Sequence, residues 1–162
     1  MLTTPDFTEI THTAEIRTER HGNRAKCLQR LIRLDLPVPM TVALPFDTVR
    51  AIAQGRLPDM AALVGVFGDG ALVSVRSSSE APDWGGPGTI LNIGMNDAVH
   101  ERLAETFGHD AADAFYVGFI RAYAVNVMRL EPDGFDGPMT PRLAKSHYED
   151  EMEEAFPQDP AT

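Results

Sequence analysis

The sequence predicts an α+β fold in which helices pack on a small mixed sheet and the C-terminal part is helical. Two short apolar runs in the middle of the chain, bounded by Gly and Pro, are typical of strands. Longer segments with apolar residues three or four positions apart indicate amphipathic helices. A chain of 162 residues is long enough for one substantial core and short for two, so we expect a single domain over 1–162.

The N-terminal segment 1–20 is poorly defined by its pattern. Residues 7–20 are rich in Thr and alternate only loosely, so an irregular strand and a loop remain alternatives there. A turn over 21–23 then precedes a helix over 24–33, because the apolar side chains of that helix fall on one face.

A strand and a second helix are predicted next. Apolar residues recur over 36–44, and two prolines within this stretch favour an edge position or a strand start. Asp47 is the expected N-cap of the following helix, and Gly55 is its expected stop. Residues 58–66 fit either a short helix or an apolar coil.

Two strands separated by a loop are predicted in the middle of the chain. Leu72, Val73 and Val75 make a strand that is apolar on both faces, which predicts a central position in the sheet. A loop over 77–88 follows, and residues 89–93 predict the second strand.

The C-terminal part is predicted to be helical. Asn96 is the expected N-cap of a helix over 97–107, and the longest helix is predicted over 109–130. A charged helix over 142–156 and a frayed tail over 157–162 complete the chain. In the helices predicted over 97–107 and 109–130, the large side chains expected to face the core are Phe107, Phe115, Phe119, Tyr123 and Val127.

Composition and charge narrow the classes of function. Acidic residues outnumber basic ones 24 to 14, so a net charge of -10 argues against nucleic-acid binding but allows one local basic pocket for a small anion. The single cysteine, Cys27, cannot form an internal disulfide, and residues 1–6 lack a signal-peptide pattern. The lone cysteine fits a reducing compartment, so we expect a cytoplasmic protein. Because no apolar run approaches about 20 residues, we expect no membrane partner.

Arg76 and the glycine-rich loop after it are candidate anion ligands. Arg76 follows a predicted central strand, where a guanidinium can hold a phosphate; a structural ion pair to a nearby acid explains the same position equally well. Gly85, Gly86 and Gly88 would let backbone N–H groups approach an anion, although a plain turn also explains them. The loop matches neither the Walker nor the Rossmann fingerprint.

Arg24 and Lys26 form a second pair of candidates at the predicted start of the first helix. Cations at a helix N-terminus oppose the helix dipole unless an anion lies nearby, and two solvated side chains are the alternative interpretation. The three serines at 77–79 have no evident His and acid partners, which disfavours a nucleophilic hydrolase. The five histidines are scattered and form no cluster with metal-ligand spacing.

Three segments share a pattern with one known family. The helix from Gly22 and the Leu-Pro-Val-Pro at 36–39 resemble the family's Gly-Gly-Lys-Gly helix and its Gly-Leu-Pro-Val-Pro. Residues 72–77 resemble its Val-Arg-Ser strand, and residues 89–97 resemble Thr-Val-Leu-Asn-Leu-Gly-Leu-Asn-Asp. Over 21–137 the sequence therefore resembles the first part of the nucleotide-binding domain of pyruvate, phosphate dikinase and, more loosely, of phosphoenolpyruvate synthase.

The resemblance implies an ATP-grasp lobe and assigns roles to single residues. Arg76 matches the family's Arg that contacts the ATP phosphates, and Arg24 stands where the family has a phosphate-binding Lys. Gly85 matches a loop glycine, whereas Gly88 stands where the family has an Asp or Glu directly before Thr89. The implied site for ATP phosphates comprises Arg24, Arg76, Gly85, Gly86, Gly88 and Thr89.

The resemblance also sets the expected function. The later part of the family's domain brings the acidic magnesium ligands and much of the adenine pocket, and no segment here resembles it. We therefore expect residual binding of ATP or phosphate without a complete phosphotransferase site, with Mg²⁺ bound only if another chain supplies ligands. One alternative is a non-catalytic scaffold whose apolar surface is covered by self-association or by a partner protein. Another alternative is one half of a split ATP-grasp kinase.

Overall fold

The computed structural model describes three stretches of the chain, residues 6–68, 70–79 and 89–159. The contacts among them divide the chain into two compact units. Of the described residues, the first unit takes 6–68 and 77–79, and the second unit takes 70–76 and 89–159.

Helices and short strands alternate along the described residues. The α-helices are α1 (Thr18–Arg33), α2 (Phe46–Ala53), α3 (Met60–Gly65), α4 (Asp97–Phe107), α5 (His109–Ala122) and α6 (Pro141–Met152). The strands are β1 (Thr8–Glu9), β2 (Val42–Ala43), β3 (Val73–Val75) and β4 (Ile90–Ile93). This mixture confirms the α+β class. The expected single mixed sheet is wrong for the described strands, which form two antiparallel pairs, β1 with β2 and β3 with β4.

The core of the first unit lies under α1. Its buried apolar residues come from the segment before α1, from α1 itself and from β2: Ile10, Ala14, Ile16, Ala25 and Ala43. The predicted strand over 36–44 is wrong except at Val42–Ala43, because Pro37 and Pro39 have no N–H to donate to a neighbouring strand. The predicted helix ends at Arg33 as expected, and the turn predicted over 21–23 is confirmed by the non-helical backbone of Gly22. The helical residues before this break, from Thr18, were not predicted.

The two short helices of the first unit begin differently. Asp47 is not the N-cap of α2, because Pro45 occupies that position and no side chain caps the helix; the Asp47 carboxylate instead pairs with Arg50 at 2.7 Å. The ambiguous stretch over 58–66 contains α3, whose N-cap Asp59 accepts a hydrogen bond from the Ala62 N–H at 2.9 Å. A carboxylate in that place satisfies one of the free N–H groups at a helix start.

The second unit begins with the β3–β4 pair. Val73 lies opposite Ile93 and Val75 lies opposite Ile90, so β4 contains one extra residue, a bulge. Asn92 has φ +59° within this bulge, a conformation that Asn tolerates better than most residues. The central position predicted for β3 is wrong, since the strand has one described partner and Val75 is 58% exposed.

The helices of the second unit follow the predicted order, but the buried face of α5 is rotated around the helix axis from the predicted face. Asn96 caps α4 by accepting the Val99 N–H at 2.9 Å, as predicted. The helix predicted over 109–130 is α5 followed by a π-helical turn, Tyr123–Val127. Phe107, Phe115 and Val127 are exposed, so the predicted core stripe is wrong at these residues. Steps of four residues advance about 40° too far around an α-helix, so a strict every-fourth stripe drifts off the buried face. The buried face comprises Ala112, Tyr116, Phe119, Ile120 and Ala124.

The C-terminal segment belongs to the core of the second unit. A 3-10 helix, Pro132–Phe135, precedes α6, and α6 ends where Glu153 adopts φ +58°. Phe156 is only 3% exposed and packs edge-on against Tyr148 and Phe119. The predicted helix over 142–156 is wrong beyond Met152, where α6 ends. Gln158 donates to the Tyr116 hydroxyl oxygen and accepts the Asp97 N–H, so the predicted frayed tail over 157–162 is wrong as far as Gln158. Among the described residues, no helix combines the length and the apolar character needed to cross a membrane.

Candidate functional site

The first unit contains a turn that only glycine can make. Gly22 interrupts α1 with φ 81° and ψ 168°, a backbone conformation that is essentially restricted to glycine. A Cβ atom at this position would lie 2.7 Å from the Ser78 carbonyl carbon and 2.8 Å from the Ser79 amide nitrogen. The missing side chain thus allows the 77–79 segment to approach the backbone of α1 closely.

The 77–79 segment occupies the start of the helix that continues after Gly22. The Asn23 N–H donates to the Ser79 carbonyl oxygen at 2.7 Å, and the Ala25 N–H points to Ser78 Oγ at 3.4 Å. Two backbone donors that a helix start would otherwise present to an anion are therefore directed at serine oxygens. The contact joins the helix from Gly22, on which the sequence resemblance partly rests, to the two residues that directly follow the 72–77 segment.

The two predicted cations on α1 have different roles. Lys26 Nζ donates to the Ile16 carbonyl oxygen at 2.7 Å and to Gln29 Oε1 at 3.2 Å, so it serves the fold of the first unit. Gln29 is fully buried and donates in turn to the Ala14 carbonyl oxygen at 2.6 Å. The Arg24 side chain is exposed, and among the described residues no ion pair engages it.

Arg76 and Thr89 lie in the second unit. Arg76 follows the last residue of β3 and is exposed, without an ion pair to any described residue. Thr89 directly precedes β4 and is half-buried. Gly85, Gly86 and Gly88 lie outside the described residues, so the predicted roles of the glycine loop stay predictions. The structure therefore describes Arg24 within the first unit and Arg76 within the second, each with its guanidinium at the surface.

A polar cluster in the second unit was not found from the sequence. Asp97 in the first turn of α4 accepts hydrogen bonds from Lys145 Nζ at 2.7 Å and from the Tyr116 hydroxyl at 2.8 Å. Gln158 donates to the Tyr116 oxygen at 3.1 Å, and its own side-chain oxygen accepts the Asp97 N–H at 2.9 Å. Because the partners come from four distant parts of the chain, no local spacing signals this cluster.

The electrostatics of this cluster favour a structural role. Burial disfavours the charged form of Asp97, but the hydrogen bonds from Lys145 and Tyr116, together with nearby positive charge, outweigh it and lower the pKa of the carboxyl. Burial raises the pKa of the Tyr116 hydroxyl far above its usual value, and the adjacent Asp97 raises it further. Tyr116 therefore remains a protonated donor at neutral pH, and the Lys145–Asp97 pair is satisfied internally. The cluster ties α4, α5, α6 and the C-terminal segment together.

The second unit also contains an apolar cavity of about 230 Å³. Its walls are mainly hydrocarbon and aromatic side chains, among them Ile90, Ile93, Met95, Phe119, Tyr123 and Phe156. An anion would lose its hydration there without gaining a cationic partner, so this cavity does not compete with Arg24 and Arg76 as a phosphate site. Among the described residues no group of three or more His, Cys, Asp or Glu is arranged to hold a metal ion.

Comparison with known proteins relates the chain to a dikinase. No family model matches the chain. The chain is 30% identical over 160 aligned residues to the pyruvate, phosphate dikinase of Rhizobium meliloti (strain 1021). The chain is a distant relative of this dikinase. The match takes in 83% of the chain but only 17% of the relative, so the activity of the whole dikinase is not carried over to this chain.

Proposed function

We propose that this chain is a nucleotide-binding module related to that of pyruvate, phosphate dikinase, and that it binds the phosphates of ATP. The relationship to the dikinase supports the kind of module. The observation that carries the binding proposal is Arg24, an exposed guanidinium two residues after a turn that requires glycine. Such a turn fixes the backbone on which the guanidinium is mounted, which reduces the entropy that phosphate binding would cost.

Arg76 is the second cation of the proposal. It is exposed directly after β3 and forms no ion pair with a described residue. We propose that its guanidinium binds an anion rather than a carboxylate of this chain. Arg76 also begins the segment that continues into Ser78 and Ser79, the residues in contact with Gly22. Charge-assisted hydrogen bonds from guanidinium groups are among the stronger contacts a phosphate can make.

The substitution of Arg for the family's Lys at position 24 bears on the ligand. A guanidinium presents donors in a planar fork that matches two oxygens of one phosphate, whereas an ammonium acts as a point charge. The proposed module therefore recognises the triphosphate through paired contacts, and Arg24→Lys would not restore full affinity. The glycine loop and Thr89 complete the proposed site.

Isothermal titration calorimetry with ATP, with and without Mg²⁺, tests the proposal. We expect Arg24→Ala and Arg76→Ala each to weaken ATP binding by about tenfold or more, because each loses a hydrogen bond between charged groups. Arg56→Gln is the matched control, since Arg56 is also an exposed arginine of the first unit and bonds only to Gln54 among the described residues. Absence of heat at millimolar ATP, or equal losses in the control, would overturn the proposal.

A double-mutant cycle on Arg24 and Arg76 sharpens the test. If both guanidinium groups bind one triphosphate, the combined loss differs from the sum of the single losses. Purely additive losses of the same size would instead assign the two arginines to separate anions. AMP and inorganic triphosphate, titrated in parallel, separate recognition of the phosphates from recognition of the nucleoside.

An interaction scaffold is a second candidate function. Several large apolar side chains of the first unit are exposed, with Leu34 at 69% and Leu57 at 70%. Groups of exposed apolar side chains are typical of surfaces that bind another protein or a second copy. A module that binds no ATP but associates through these residues would have this function instead.

A further inference from the structure

His21 is a buried imidazole directly before the Gly22 turn. Its side chain is only 2% exposed, and its Nδ1 accepts a hydrogen bond from the Arg17 N–H at 3.2 Å. A neutral imidazole that accepts at Nδ1 carries its proton on Nε2. This buried Nε2–H finds no acceptor among the described residues. A buried donor without a partner is costly, so the position calls for an explanation.

The hydrogen bond at Nδ1 holds the first turn of α1. Arg17 is the N-cap residue of this helix, and no serine, threonine or carboxylate caps it. The backbone closes the same turn through the His21 N–H, which donates to the Arg17 carbonyl oxygen at 2.8 Å. The ring of His21 thus accepts the backbone N–H of Arg17, and the backbone N–H of His21 donates to the Arg17 carbonyl oxygen. These two bonds fix the chain up to the residue before Gly22.

The charged groups around His21 decide its protonation. Burial is the main cause that lowers the pKa of the imidazole, and the positive charge of Arg20 lowers it further. The negative charge of Glu15 raises the pKa but is weaker. The ring is therefore neutral at pH 7, and the unfolded chain binds a proton at His21 at a higher pH than the folded one.

We propose that His21 is a positioning residue of the phosphate site, whose neutral ring holds the Gly22 turn in the form that binds phosphate. The proposal rests on the function proposed above. A protonated ring cannot accept the Arg17 N–H and places a charge in a buried position beside Arg20. The first turn of α1 then opens, and Gly22 loses its fixed approach to the 77–79 segment. Proton uptake by His21 therefore weakens phosphate binding.

The expected sign is opposite to that of simple electrostatics. A fall in pH makes this acidic chain less negative, which by itself strengthens the binding of an anion. Weaker binding at low pH would therefore point to a specific group rather than to the net charge. Comparing variants at one pH cancels the titration of ATP itself, because the ligand is then the same for every chain.

Two variants of His21 distinguish the role of the Nδ1 acceptor from the role of the space that the ring fills. His21→Asn places a carbonyl oxygen near the position of Nδ1 but cannot titrate, and His21→Phe fills the space but accepts no hydrogen bond. We expect His21→Asn to bind ATP at pH 7 like the natural chain, and His21→Phe to bind weakly at every pH. Between about pH 7.5 and about pH 5.0 the natural chain should lose about threefold more affinity than His21→Asn, as the binding-competent fraction falls. His12→Asn, at an exposed histidine of the same unit, is the control and should behave like the natural chain.

NMR of the natural chain provides a readout that does not depend on ATP. The imidazole of His21 should titrate below pH 6.5, and the amide signals of Arg17 and Asn23 should shift with the same midpoint. Amides that stay unmoved while His21 titrates, or unchanged ATP affinity in His21→Phe, would overturn the positioning role. If no chain binds ATP but the amide shifts follow His21, the phosphate-binding function fails while the coupling of His21 to the turn stands. If His21→Phe does not fold, His21→Asn and the NMR titration still decide the proposal.

Discussion

At the scale of single residues, two neighbouring cations of the first unit have different roles: Lys26 stabilises the fold, whereas Arg24 is exposed and is proposed to bind phosphate. Lys26 and Arg24 lie two positions apart on α1, yet Lys26 is bound to the Ile16 carbonyl oxygen and to buried Gln29. The sequence predicts a cationic helix start but cannot separate the two residues, because the partners of Lys26 come from a segment without a regular pattern. Only the folded backbone before α1 shows which of the two side chains already donates to internal acceptors.

Gly22→Ala tests the requirement for glycine in the turn. The substitution forces a Cβ into a backbone conformation that costs about 1–3 kcal/mol for other residues, and it also displaces the backbone of Ser78 and Ser79. We expect the free energy of unfolding to fall by at least about 2 kcal/mol, measured as a lower midpoint of urea unfolding at an unchanged slope.

Gly55→Ala is the matched control for this prediction. Gly55 has the same φ of +81°, but nothing lies within 4 Å of the Cβ it lacks. It should lose about 1 kcal/mol, the cost of the backbone conformation alone. Equal losses at the two glycines would show that the approach of the 77–79 segment adds nothing to the requirement.

At the scale of elements, the sequence predicted those whose signals are local. Asn96 as the N-cap of α4, the end of α1 at Arg33 and the strand at β4 were confirmed, since each rests on a few adjacent residues. The errors concern partners distant in sequence. The number of strands beside β3, the rotation of the buried face of α5 and the docking of the C-terminal segment all depend on which other element packs there. Of the candidate site, the sequence could predict residue types and the Gly22 turn, but not the contact of that turn with Ser78 and Ser79.

The packing of the C-terminal segment in the core of the second unit is expected to contribute strongly to the free energy of unfolding. Phe156 packs edge-on against aromatic side chains of α5, α6 and the π-helical turn: Tyr116, Phe119, Tyr123 and Tyr148. Phe156→Ala should therefore destabilise the chain by about 3–5 kcal/mol, the usual cost of deleting a buried phenyl ring. Urea unfolding followed by near-UV circular dichroism measures both the loss and the loosening of the aromatic cluster.

Phe107→Ala is the control for the aromatic core. Phe107 is the same residue type in the same unit but is 63% exposed, so its removal should change the free energy of unfolding by less than about 0.5 kcal/mol. A small effect of Phe156→Ala would mean that the aromatic packing of the segment after α6 adds little to the stability of the chain.

At the scale of the whole molecule, two properties oppose each other in deciding whether copies associate. The net charge of -10 repels a second copy, and five acidic residues in or just after α6 are exposed: Glu149, Asp150, Glu151, Glu153 and Glu154. The exposed apolar side chains of the first unit favour association because covering them removes hydrocarbon from water. Which effect dominates depends on pH and salt, since both change the repulsion and leave the apolar surface unchanged.

Sedimentation velocity measures this balance directly. We expect a monomer at neutral pH and low salt, and increasing association in about 0.5 M salt or as the pH approaches the isoelectric point of 4.8, because screening or protonation removes the repulsion. The double variant Leu34→Glu and Leu57→Glu should stay monomeric in high salt. Leu143→Glu, at an exposed leucine of the second unit, should associate like the natural chain. Association that persists in the double variant, or that Leu143→Glu abolishes as well, would contradict the assignment of the contact to the first unit and remove the main support for the scaffold function.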